Sequence, residues 1–162
     1  MMLQRPARCA APRLLPALVL ALLAPASRAE EDATDLAARA ARHLGRRAPS
    51  AEEVELGKRL FFDRRLSADE SVSCSTCHLP EHGFADVRRF SVGVSGKPLE
   101  RHSPHLFNLA WSKSFFWDGR AESLEEQALM PIQHPDEMGQ SLGELERKLR
   151  AVPDYAQRFE AI

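Results

Sequence analysis

The sequence predicts an all-α domain. Apolar residues recur at spacings of three and four in several segments, a Ser-x-x-Glu signature precedes two of them, and no segment alternates apolar and polar residues as a half-buried strand does. A chain of 162 residues is long enough for one core and one domain beyond any processed leader.

Residues 1–29 read as a signal peptide. Arg5, Arg8 and Arg13 form a positive head, Leu14 to Ala26 an apolar stretch, and Ser27-Arg28-Ala29 a small-residue cleavage site. The apolar stretch is shorter and more proline-broken than the roughly 20 residues a spanning helix needs. Export to a periplasm, cleavage near Ala29 and no membrane span afterwards are therefore expected. The leader carries four arginines and no acid, so the mature chain keeps 18 basic against 23 acidic residues, a net charge of about −5. That balance argues against nucleic acid, which needs a basic face, and suits a basic protein partner. Cys9 leaves with the leader, and Cys74 and Cys77 remain.

The mature elements follow in order. Residues 30–50 form an N-terminal extension, helical over Asp32–Arg47, where Leu36, Ala40 and Leu44 share a face. The domain proper is 51–162. It opens with a helix capped by Ser50, with Glu53 completing a capping box and Leu56, Leu60 and Phe61 facing inward. Asp63 to Asp69 turns the chain into the cysteine motif. Leu79 to Pro104, rich in Gly, Pro, Ser and charge, has neither period and reads as a long irregular loop of functional kind. A short helix runs from Ser123 to Met130 with Leu124, Ala128 and Leu129 inward, and Pro131 ends it. Ser141 caps the next with Glu144 as its box partner and Leu142, Leu145, Leu149 and Val152 on one face. Pro153 opens the last.

Cys74-Ser75-Thr76-Cys77-His78 is C-x-x-C-H, the attachment signature of c-type haem. Two intervening residues on a helical turn put both sulfurs on one side, matched to the two vinyl groups of the porphyrin, and the next residue aims its imidazole at the iron. The expected architecture is thus a cytochrome c-like helical domain around one covalent haem c, with His78 as axial ligand. Competing readings are a thioredoxin-like dithiol, which wants a βαβ context, a structural zinc site, which wants four ligands, and a plain disulfide. What the iron does depends on its sixth position. A strong ligand there, such as Met138 or Met130, makes an electron carrier; an open position makes a catalyst. Either methionine also reads as core filling.

The run Leu56-Gly57-Lys58-Arg59-Leu60-Phe61-Phe62-Asp63 with Arg65-Leu66-Ser67, the haem motif, Gly83-Phe84-Ala85-Asp86, Phe116-Trp117-Asp118-Gly119-Arg120-Ala121, Ser123 to Ala128 and His134-Pro135-Asp136-Glu137-Met138 resembles the N-terminal, peroxidatic half of the bacterial dihaem cytochrome c peroxidase and methylamine-utilisation family. The likeness covers about residues 51–150. It implies a haem that reduces hydrogen peroxide with electrons from a small cytochrome c or cupredoxin. By position, Glu137 matches the distal acid/base and Gln127 the distal glutamine. Trp117 matches the tryptophan between two haems, and Phe116 would line the distal pocket. Peroxide must lose a proton from its inner oxygen and gain one on its outer oxygen before the bond breaks, which one carboxylate can shuttle.

The sequence departs from the family in three places. Val94 stands where many members carry a histidine that blocks the peroxidatic iron, so a five-coordinate, ready haem is expected; His82, His102, His105 and His134 are the other candidate ligands or else surface residues. His102 replaces an asparagine that helps hold calcium, and histidine is a poor calcium ligand. No second C-x-x-C-H follows before Ile162, so a truncated product or a one-haem relative is expected, with a second haem domain or another copy as partner and slow turnover by this chain alone. A monohaem carrier with a Met ligand is the competing function, and an oxidative role like that of the methylamine-utilisation enzyme is a third.

Overall fold

The computed structural model describes Asp35, Arg39 and residues 47–162. The leader 1–29 lies outside the described residues, as does most of the 30–50 extension, in which Asp35 and Arg39 are helical.

Helix α1 spans Ala51–Phe62. Its capping box forms in both directions: Glu53 N–H donates to Ser50 Oγ at 3.2 Å and Ser50 N–H to the Glu53 carboxylate at 2.7 Å. Leu56 is buried, with Leu60 and Phe61 half-buried beside it. Asp63 ends α1 and accepts the Arg65 N–H at 2.9 Å, starting the 3-10 turn Arg64–Leu66. The one-turn helix α2 is Cys74–Cys77. Between it and residue 123 the chain is irregular apart from 3-10 turns at Pro80–His82 and Leu109–Trp111, as composition predicts for Leu79 to Pro104. Among the described residues the only extended pairing is three isolated antiparallel bridges, Leu79 with Ala85, Val92 with Pro98 and Phe115 with Ala121.

Helix α3 is Leu124–Gln133 and carries Pro131 inside it, so the expected stop at Met130 is corrected. Proline removes a single N–H, the one that would reach Gln127. Helical bonding resumes with His134 N–H on Met130 O at 3.0 Å, and buried Ile132 anchors the last turn. The expected inward face is also corrected: Ala128 and Leu129 are exposed, because only the C-terminal turn of that stripe reaches the core.

Helices α4, Leu142–Arg150, and α5, Pro153–Glu160, complete the domain. Ser141 Oγ accepts the Glu144 N–H at 3.2 Å. The Glu144 carboxylate pairs with Arg147 instead of closing the box, since an arginine three residues on lies within reach. Leu142 is exposed rather than inward, whereas Leu145 and Leu149 are buried. The core joins Leu56 of α1, Leu66, Val72, Ile132 of α3, Met138, the two α4 leucines and Tyr155 of α5.

Tyr155 ties α5 to the end of α1. Its hydroxyl donates to Asp63 Oδ2 at 2.6 Å, and the Arg65 guanidinium lies 5.2 Å from the ring centroid. Burial and the Asp63 carboxylate together push the phenol up to about 12. Tyr155→Phe removes a hydrogen bond to the charged Asp63 carboxylate and is expected to cost about 2 kcal/mol, measured as a lower denaturation midpoint at unchanged slope.

Candidate functional site

The cysteine motif forms one helical turn because each end is closed locally. Ser73 N–H donates to Thr76 Oγ1 at 2.9 Å, and His78 N–H to Cys74 O at 2.9 Å. Cys74 and Cys77 stand on this turn as half-buried free thiols. Burial pushes both thiols above their ordinary range, which works against a redox dithiol, whose nucleophile is a thiolate. Among the described residues no three His, Cys, Asp or Glu side chains converge as a metal site.

His78 Nδ1 lies 2.9 Å from Phe84 O and 3.0 Å from Pro104 O. Both neighbours are acceptors only, so Nδ1 carries the proton and Nε2 keeps its lone pair. A carbonyl on the far nitrogen is how proteins orient a metal-binding imidazole and raise its basicity. Phe84 reaches this position through a left-handed backbone, φ +58°, at the tip of the turn pinned by Phe84 N–H on Leu79 O at 2.8 Å. A bulky residue in that region costs about 1–3 kcal/mol and persists only where its surroundings hold it. Two thiols on one turn and an imidazole with a free Nε2 fit a c-type haem.

Behind Cys77 stands a buried polar cluster. Asp86, fully enclosed, accepts the Arg88 N–H at 2.8 Å and its guanidinium at 3.1 Å; Ser91 Oγ and Ser103 Oγ are 2.7 Å apart. Burial works to raise the Asp86 pKa, but the hydrogen bonds from Arg88 and Ser91 outweigh it and hold it at about 2. The long loop thus supplies the groups that surround the motif.

Glu137 follows α3 in a turn closed by Glu137 N–H and Gly139 N–H on His134 O, at 3.0 and 2.9 Å. The loop docks against this turn backbone to backbone. Val94 N–H donates to Glu137 O at 2.8 Å, and a Cβ on Gly93 would lie 2.2 Å from Asp136 O and 2.3 Å from Glu137 O. Only glycine fits there. The Glu137 carboxyl is half-buried, and desolvation raises its pKa above 4.5 against the opposing fields of His134, whose Nδ1 is 3.9 Å away, His78 and Arg120.

The structure adds Arg120, which lies within the Phe116–Ala121 string, to these residues. Its guanidinium stacks 3.6 Å from the centroid of Phe116 and bonds Asp118 at 2.9 Å. Phe116 has φ +63° at the head of the loop that the Phe115–Ala121 bridge closes. Phe116, Arg120 and Glu137 thus form one neighbourhood. Trp117 points elsewhere: it is 70% exposed, with the Arg101 guanidinium 4.1 Å from its ring. Gln127 is half-buried on α3, its backbone N–H bonded to Ser123 O at 3.0 Å. Met138 is spent in the core, Val94 packs against the same core, Met130 is half-buried, and His102 Nδ1 donates to Arg88 O at 3.0 Å. His82 and His105 are exposed.

The sequence model of the di-haem cytochrome c peroxidase family matches residues 51–162. Methylamine utilization protein MauG of Methylorubrum extorquens is 54% identical over 108 residues, 67% of this chain and 31% of that protein. Cytochrome c551 peroxidase of Pseudomonas aeruginosa is 44% identical over 110 residues, 68% of this chain and 32% of that one. Among solved structures, a MauG-like protein associated with microbial copper homeostasis superposes with a TM-score of 0.65 at 38% identity, covering 69% of this chain and 34% of that one. The dihaem peroxidase BthA of Burkholderia thailandensis gives 0.63 at 31% identity, over 67% and 32%. The chain spans about a third of the length of these relatives.

Proposed function

The chain belongs to the di-haem cytochrome c peroxidase family, and from that premise we propose that residues 51–162 are an exported haem c domain that reduces hydrogen peroxide with electrons from a small redox protein. Removal of residues 1–29 would release it to the periplasm; among the described residues no helix is long and apolar enough to cross a membrane.

On this reading Cys74 and Cys77 hold the porphyrin and His78 Nε2 the iron. The haem, when bound, supplies the metal that takes up peroxide and the electrons that reduce it. The remaining work belongs to the chain. Glu137, ionised, takes the proton from the inner peroxide oxygen and returns it to the outer one. Arg120 holds positive charge beside it, Phe116 walls the pocket, Gln127 orients the peroxide, and Trp117 hands on electrons from a second haem domain. The observation that carries the proposal is the half-buried Glu137 carboxyl on a turn that the long loop seats through Val94 N–H on Glu137 O at 2.8 Å. Burial of Met138 in the core weighs against it as the iron ligand of the competing electron carrier.

The test is the spectrum of protein made with working cytochrome maturation. One covalent haem per chain is expected, five-coordinate at rest and changing rapidly on adding peroxide. His78→Ala is expected to lose that resting spectrum and Cys74→Ser/Cys77→Ser the covalent attachment. A Met-to-iron charge-transfer band, or colourless protein with free thiols, would overturn the proposal.

A further inference from the structure

A line of phenylalanine rings runs from the surface to the Nδ1 side of His78, on the other side of the imidazole from the iron-binding nitrogen. Phe62, 48% exposed, meets Phe61 edge to face at 5.2 Å, and Phe61 meets Phe84 in the same manner at 5.9 Å. Phe84 O then accepts the His78 Nδ1–H at 2.9 Å. The left-handed backbone at Phe84 lets one residue do both, its carbonyl turned to the imidazole and its ring to Phe61.

The outer end of this line opens onto a wide, shallow hollow. Phe62 forms one wall of a cleft of about 500 Å³ between the end of α1 and Tyr155 of α5. Of the four basic side chains lining it, Arg59 pairs with Glu55 at 2.9 Å and Arg65 with Asp63 at 2.7 Å. Lys58 and Arg64 have no ion-pair partner among the described residues, so the cleft is locally positive on a chain that carries more acids than bases. Such a spot selects an oppositely charged partner and speeds its encounter.

We infer that this cleft docks a one-electron carrier protein with an acidic rim around its redox centre, and that electrons pass from it through Phe62, Phe61 and Phe84 to His78 and the iron. This is an uptake route separate from Trp117. The donor loses one electron and ferric iron gains it; no bond forms or breaks and no proton moves. The rings are not themselves oxidised: their packed contacts shorten the gaps between donor and imidazole. The inference rests on the haem attachment proposed above, not on peroxide chemistry.

Anaerobic stopped-flow reduction of the haem-loaded chain tests it, with two reductants: photoreduced flavodoxin, a small acidic one-electron carrier, and photoreduced lumiflavin, small and uncharged. Reduction by flavodoxin should slow as salt rises, and Lys58→Glu/Arg64→Glu should slow it about tenfold at low salt while leaving lumiflavin unaffected. Phe62→Ala should lower the limiting rate at saturating flavodoxin, and amide shifts at residues 58–64 on adding oxidised flavodoxin should persist. Haem-free protein would overturn both the attachment and this route. Haem-loaded protein whose charge-reversed variant keeps the parent rate with flavodoxin, or slows equally with both reductants, would overturn this route alone.

Discussion

Glu137→Gln is expected to slow the first reaction with hydrogen peroxide by roughly 10²–10⁴-fold, measured as the haem absorbance change in stopped flow. Glutamine keeps the shape and can still donate a hydrogen bond, but it cannot take a proton. The parent rate should also rise with pH through the Glu137 pKa, at a pH above 4.5 because burial disfavours the ionised form. In the glutamine variant that rise should vanish. Stability should move the other way. A carboxyl whose folded pKa is raised binds its proton more tightly when folded, so its contribution is full at low pH and is lost as pH climbs through the raised value. The variant should therefore match or exceed the parent in thermal stability at neutral pH, which separates lost chemistry from lost fold. An unaltered peroxide rate would remove Glu137 from the reaction.

Gly93→Ala is the second large effect, and it acts through the backbone. Its new methyl would sit 2.2 Å from Asp136 O and 2.3 Å from Glu137 O, so the loop and the Glu137 turn must part and the 2.8 Å bond from Val94 N–H to Glu137 O must stretch. Overpacking plus a strained buried hydrogen bond should cost about 3 kcal/mol, seen as a melting temperature lower by roughly 10 °C or more. The peroxide reaction should slow as well, since the same contact seats Glu137. Gly57→Ala is the control. A Cβ there meets nothing within 4 Å, on an exposed face of α1, and alanine in a helix interior should stabilise by about 0.5–1 kcal/mol. Equal behaviour of the two variants would refute the close approach at Gly93.

Local signals in the sequence carried the helices well. The Ser50–Glu53 box, the 3-10 turn after Asp63 and the start of α5 at Pro153 are set by residues within four positions of each other, and so can be read from one stretch of chain. The misreadings have the same cause in reverse. Pro131 stops a helix on local grounds, yet burial of Ile132 in the core it shares with Leu56 and Leu145 carries α3 onward. Leu129 and Leu142 have helical spacing, but spacing cannot say where the core ends. The attachment motif was legible because its chemistry is local. The support around it was not: Gly93 is glycine because of Asp136 and Glu137, and Phe84 and Pro104 matter for carbonyls that any residue carries. Arg120 lay inside a recognised string, but its stacking on Phe116 depends on a left-handed residue that sequence does not announce.

The bifurcated bond from His78 Nδ1–H to Phe84 O and Pro104 O makes the His78 imidazole a clasp. One proton gathers two points of the loop, six and 26 positions downstream, and so bears part of the closure entropy of that segment. A metal held on Nε2 would therefore steady a stretch of chain through the opposite nitrogen of the same ring. Amide exchange across residues 79–104 should slow when the haem is loaded, and the loop should loosen in any variant whose replacement ligand has no second nitrogen to offer.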